Sequence, residues 1–278
     1  MRVRTIALVV TAAAVFAACG GDDETEPKAG STSTSASAEN SPNHDMDHDM
    51  DHDMDRGEHE GAGTGVAKPL PVLADGTLDP AGIDLSGVDG VTPEQQAYAE
   101  DLLVRSITTL PTWADYDTAI ADGFESIGDQ LTGEEHVIKW NSIDDDVWLD
   151  PTQPESLVYR YETQPDGSAV RTLEAAMFLL PKSFDLDNAP DDAGALMQYH
   201  IHDDLCFTAP PAPKVRGLTN AEGVCAPPLE KFQPWIMVHV WIRPNECGPF
   251  AALKGIGGGQ VKEGEAVACL HEHGEIGL

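Results

Sequence analysis

From Gly20 to about residue 65 the chain carries almost no apolar side chain other than Met and Ala, and this limits where a fold can form. Gly, Ser, Thr, Asp and Glu fill the segment. A stretch of that kind cannot bury enough surface to offset the entropy of ordering it, so disorder is expected. Residues 19–65 are therefore read as a flexible tether. Residues 66–91 begin Val66-Ala67-Lys68-Pro69-Leu70-Pro71 and continue through Gly- and Asp-rich turns, which suits an extended lead-in. From Thr92 onward apolar residues recur regularly, and residues 92–278 are an ordinary length for one domain.

Within the tether, His44 to Asp55 reads His-Asp-Met-Asp three times. The imidazoles of His44, His48 and His52 suit copper, zinc or nickel. The thioethers of Met46, Met50 and Met54 are soft ligands that select Cu(I). A thioether also survives an oxidising compartment in which a thiol would form disulfides. The tract resembles the Met/His-rich segments of bacterial periplasmic copper-handling proteins, which implies copper as its metal, with zinc or another transition metal as alternatives. A solvated acidic linker is the competing interpretation.

The chain begins with Arg2 and Arg4, then an apolar run from Ile6 to Ala18 that is too short to span a bilayer as a stable anchor. Small residues precede Cys19, as in a secretory signal over residues 1–18. The Ala17-Ala18-Cys19-Gly20 junction resembles a bacterial lipobox. That resemblance implies a diacylated Cys19 as the new N-terminus, and two acyl chains suffice for stable anchoring. The expected location is extracytoplasmic, lipid-anchored to the membrane. The formal charge of −32 excludes a nucleic-acid partner, because phosphate neutralisation needs clustered cations. It favours attraction of cations instead.

Inside the domain, Thr92-Pro93-Glu94-Gln95 has a capping Thr, Pro at the first helical position and Gln at the third. Ala97, Leu102, Leu103, Ile107 and Leu110 continue that helix to Pro111. A second helix is expected from Thr112 to Gly123, where a C-terminal glycine fits. Strand-like runs follow at His136–Trp140, Leu157–Tyr161, Val170–Leu180, Met197–His202 and Trp235–Ile242. Gln164-Pro165-Asp166-Gly167-Ser168 joins the second and third as a hairpin. With no long helices between strands, the expected class is α+β: a helix pair, then a mostly antiparallel sheet.

Cys206, Cys225, Cys247 and Cys269 lie in the last third, with no Cys-x-x-Cys spacing. In an exported chain they most often form two disulfides, and three pairings are possible. Nearest-neighbour pairing would close Pro- and Gly-rich loops, each worth about 3 kcal/mol by loop entropy. Thiolate metal ligation competes with that assignment.

A second metal site is expected in the domain. In Tyr199-His200-Ile201-His202 the period of two sets both imidazoles on one strand face. His239 shares a face with Met237 and Trp241, and His136 follows Glu134-Glu135. His136, His200, His202 and His239, with Glu135, would make an open site for a transition metal. His271 and His273 either join it or form a polar tail. The pattern is similar to the cupin metal motif but has Asp203 and Asp204 where that motif carries Glu.

Gly133-Glu134-Glu135-His136 with Trp140, Leu149-Asp150-Pro151 with Pro154-Glu155, Tyr199 to His202 with Leu205-Cys206, and His239-Val240-Trp241 leading to Asn245 and Gly248-Pro249-Phe250 resemble an uncharacterised group of exported bacterial proteins. The resemblance runs through about residues 112–260 and implies a domain but no reaction. No Gly-x-Ser-x-Gly or His-Glu-x-x-His occurs. Gly255–Gly259 suits a loop better than a phosphate cradle. Asp115–Asp117 and Asp144–Asp146 lack the glycine and terminal Glu of a calcium loop. The expected function is a membrane-anchored metal-binding lipoprotein that stores, delivers or senses copper. The alternative is an exported metal-dependent enzyme that uses the strand-borne histidines.

Overall fold

The computed structural model describes residues 67–245, 247–252 and 260–263. The expected signal segment, Cys19, the expected repeat ligands from His44 to Met54, Cys269, His271 and His273 lie outside the described residues. Among the described residues no helix is long and apolar enough to cross a membrane.

Helix α1 spans Pro93–Thr109, and its start follows from four residues. The Thr92 hydroxyl accepts from the Gln95 backbone N–H at 3.2 Å, and the Gln95 side chain accepts from the Thr92 N–H at 3.0 Å. This reciprocal cap satisfies two amides that the first helical turn leaves without partners. Ala99, Leu102, Leu103, Ser106 and Ile107 are buried, three or four residues apart on one stripe, while Ala97 is exposed. The second helix is shorter than expected. Leu110–Trp113 forms a 3-10 turn and α2 covers only Tyr116–Ala121. Asp115 restarts the chain: its carboxylate accepts from the Asp117 N–H and caps α2.

Five strands form the main sheet in the order β1-β2-β3-β4-β8, with every neighbour antiparallel. They are β1 Glu125–Ser126, β2 Glu134–Ile138, β3 Ser156–Thr163, β4 Ala169–Leu179 and β8 Met237–Trp241. The β3–β4 connection is the expected hairpin, closed by Gln164 N–H to Ser168 C=O at 2.8 Å with Gly167 at φ 83°. A smaller sheet, unforeseen in the sequence, has the order β6-β5-β7, from β5 Leu205–Phe207, β6 Val215–Leu218 and β7 Glu230–Lys231. Residues 197–202, expected as a strand, contribute only two isolated bridges, His200 to Met237 and Ile201 to Gln260.

Alternation along the strands gives the main sheet two apolar faces. Val137, Leu157, Tyr159, Ala176, Phe178, Val238 and Val240 join α1 in the larger core. Leu78 and Leu85 of the lead-in enter that core too, so residues 66–91 do more than extend the chain. The opposite face carries Ile138, Val158, Ala175, Met177, Leu179, Met237 and Trp241, packed against Val215, Leu205 and Phe207 of the small sheet. Within the second layer, Cys206 of β5 is disulfide-bonded to Cys225 in the loop between β6 and β7, with Cα atoms 5.6 Å apart. Cys247 is also disulfide-bonded.

Candidate metal centre and its adjoining cavity

Residues on alternate positions of a strand share a face, so Glu134, His136 and Ile138 of β2 all turn toward the small sheet. On β8 the same applies to Met237, His239 and Trp241. His200 pairs with Met237 through two backbone hydrogen bonds of 3.0 and 2.9 Å, which places its imidazole on that face. His202, two residues on, follows it. A flat sheet would hold β2 and β8, three strand spacings apart, at about 14 Å. Yet the Nε2 atoms of His136 and His239 are 3.4 Å apart. The two imidazole side chains leaning toward each other over Val158 and Ala175 close part of that gap and curvature of the sheet the rest, to which a register shift between Val158 and Tyr159 contributes a bend.

Four of the five residues expected at a domain metal site thus meet. Ring centroids are 5.6 Å apart for His136–His239, 5.1 Å for His200–His239 and 5.3 Å for His200–His202. Glu135 is the exception, because adjacent strand residues face opposite ways. Its carboxylate lies on the helix side, 2.5 Å from Arg171 Nε and 3.0 Å from the Tyr116 hydroxyl. It anchors the sheet to α2 and takes no part in the histidine group.

Two acids missed in the sequence take its place. Asp129 accepts from the His136 backbone N–H at 3.0 Å, and its other oxygen is 2.6 Å from His136 Nδ1. A carboxylate on Nδ1 holds that proton and turns Nε2 toward the neighbouring rings. Glu134 is only 7 % exposed, and its Oε2 has no hydrogen-bond partner. Burial pushes its carboxyl up to about 8, with Glu174 adding to the shift.

The imidazoles divide by environment. Burial alone would lower His136, but the Asp129 carboxylate, backed by Glu134 and Glu135, carries it above its ordinary value. His200 is pushed down to about 3 and His202 to about 4, by burial first and then by neighbouring imidazoles. Both are neutral at pH 7, the form that ligates metals. Neither ring nitrogen of His200 has a hydrogen-bond partner, nor does His202 Nδ1.

A cavity of about 100 Å³ opens beside this group, between the two sheets. Asp129, Glu134, His136 and His202 line one part of it, and Trp140, Phe207, Phe232 and Trp235 supply aromatic wall. Among the described residues, no three His, Cys, Asp or Glu side chains already stand ready around a common point to hold a metal ion. The His200 and His239 rings are nearly parallel, 19° apart, so a ring rotation separates them from a shared ion. No protein-family model, no curated protein and no solved structure matches the chain.

Proposed function

We propose that this chain is a membrane-anchored extracytoplasmic lipoprotein that binds transition metal, copper above all, with one site in the folded domain and several in the tether. The observation that carries the domain site is Asp129 on His136 Nδ1 with His136 Nε2 turned to His239. Two imidazoles on a tetrahedral ion, with metal–nitrogen bonds of about 2.0–2.1 Å, have their nitrogens about 3.3–3.4 Å apart. The observed 3.4 Å fits that spacing. It is long for an N–H···N hydrogen bond between the rings. Centroids of such a pair would lie about 5.2 Å apart, close to the spacings among His136, His239, His200 and His202. The third ligand comes from His200 or His202 by rotation of its ring.

The tether supports the same function by composition. Cys19 would hold the chain at the membrane, and His44, Met46, His48, Met50, His52 and Met54 would collect copper for the domain. A tract of this composition is expected to pay for ordering its ligands on binding, so each equivalent would be weaker than one held by strand-fixed histidines.

One observation favours an exported metal-dependent enzyme instead. The cavity reaches His136 and His202, which would give a substrate access to a metal beside them.

Titration of the full chain with Cu(I) and with Zn(II), under competition from a chelator of known affinity, tests the proposal. One tight equivalent should vanish in the His136→Ala/His239→Ala variant. Several weaker Cu(I) equivalents should vanish when the three His and three Met of the repeat become Ser. A tight equivalent that survives the loss of both strand histidines would overturn the domain site. A peptide of residues 40–60 without Cu(I) affinity would overturn the tether site.

A further inference from the structure

We propose that the cavity between the two sheets is a binding site for a small, uncharged and mostly apolar molecule, its one polar head set against Glu134 and His202 and its body against Trp140, Phe207, Phe232 and Trp235. Three residues that line the cavity each carry a buried polar atom with no hydrogen-bond partner in the protein: Glu134 Oε2, His202 Nδ1 and Trp235 Nε1. Each such atom costs on the order of 1–3 kcal/mol unless something satisfies it. Glu134, on the β2 face that carries His136, and His202 both belong to the histidine side of the cavity, and the head lies there. The remaining wall is apolar and includes Leu179, Leu205 and Val215.

Size and charge define the ligand class. A dry apolar cavity of about 150 Å³ accepts benzene. At about 100 Å³ and open on one side, this cavity suits a single ring or a short aliphatic chain with its head at the polar end. Asp129 is already engaged by His136, which leaves Glu134 as the one other carboxyl in the lining. A hydroxyl fits because it both donates and accepts. The inference does not require a bound metal.

The probe is benzyl alcohol, added to the full chain in the presence of EDTA and followed by ligand-observed NMR. Saturable binding is expected, tighter than for toluene, benzylamine or benzoate. Leu205→Trp, which fills the cavity, should abolish it. Glu134→Leu should weaken benzyl alcohol about tenfold and leave toluene unchanged, the factor expected for one lost hydrogen bond. Intermolecular NOEs in the wild-type protein should reach the methyl groups of Ile138, Leu179 and Val215, which keeps the test independent of whether a variant folds. Absence of saturable binding, or NOEs confined to methyls elsewhere, would overturn the site. Benzylamine or benzoate binding more tightly than the alcohol would overturn the uncharged head.

Discussion

Glu155 offers a quantitative test of how the main sheet is packed. It is 1 % exposed, and its side chain accepts from the Leu179 N–H at 3.2 Å. Burial, against partial relief from backbone N–H donors, pushes its carboxyl up from an ordinary 4.5 to about 8. In the unfolded chain the group ionises near 4.5, so between those values the folded state binds more protons than the unfolded one. Stability from this residue is therefore present in full below pH 4.5 and lost as pH rises toward 8. At ~1.36 kcal/mol per pH unit, the full loss is about 5 kcal/mol. Glu155→Gln keeps the acceptor for Leu179 and removes the ionisation. Urea unfolding of wild type and variant, disulfides intact, at pH 4.5, 6.5 and 8.5 isolates the effect, because every other titrating group cancels in the difference. The variant should gain on the wild type by several kcal/mol across the range. Parallel curves would refute the argument and mean that Glu155 ionises inside the fold at its ordinary value.

Replacing Cys206 and Cys225 together by Ser opens a loop of 19 residues and should cost about 3 kcal/mol of unfolding free energy, measured by urea titration. Glu135→Ala removes the partner of both Arg171 and Tyr116 and should cost about 3 kcal/mol. It should leave metal affinity unchanged, since Glu135 lies on the opposite face. A large loss of metal binding in a folded Glu135→Ala protein would contradict that placement. Cys19→Ala should release the chain from membrane fractions or leave an uncleaved precursor on immunoblots.

Parts of this structure were legible because local chemistry decides them. Thr92, Pro93 and Gln95 specify the start of α1, and the Pro165–Gly167 turn specifies the β3–β4 hairpin. The side-by-side imidazoles of His200 and His202 follow from strand periodicity, although pairing there lasts only two residues. The same periodicity, applied to β2, distinguishes Glu134 from Glu135 once His136 is known to face the other histidines. Glu135 is adjacent to His136 in sequence, but the pleat alternates and turns it to the opposite face. Asp129 gave no such signal. It sits in a turn before β2, and only the fold brings its carboxylate back onto His136. The small sheet was hidden because its strands are two to four residues long, too short to show alternation, and separated by Pro-rich loops. The curl that brings β2 and β8 histidines together is a property of the whole sheet and has no sequence signature.

In the proposed domain site His136, oriented by Asp129, and His239 hold one transition metal ion through their Nε2 atoms. Anomalous diffraction from crystals of the protein loaded with one equivalent of Zn(II) or copper, with data on both sides of the metal edge, tests it most directly. A single strong peak is expected about 2.0–2.1 Å from both Nε2 atoms, with a His200 or His202 ring turned toward it. A metal peak elsewhere in the domain, or no peak between His136 and His239, would contradict it.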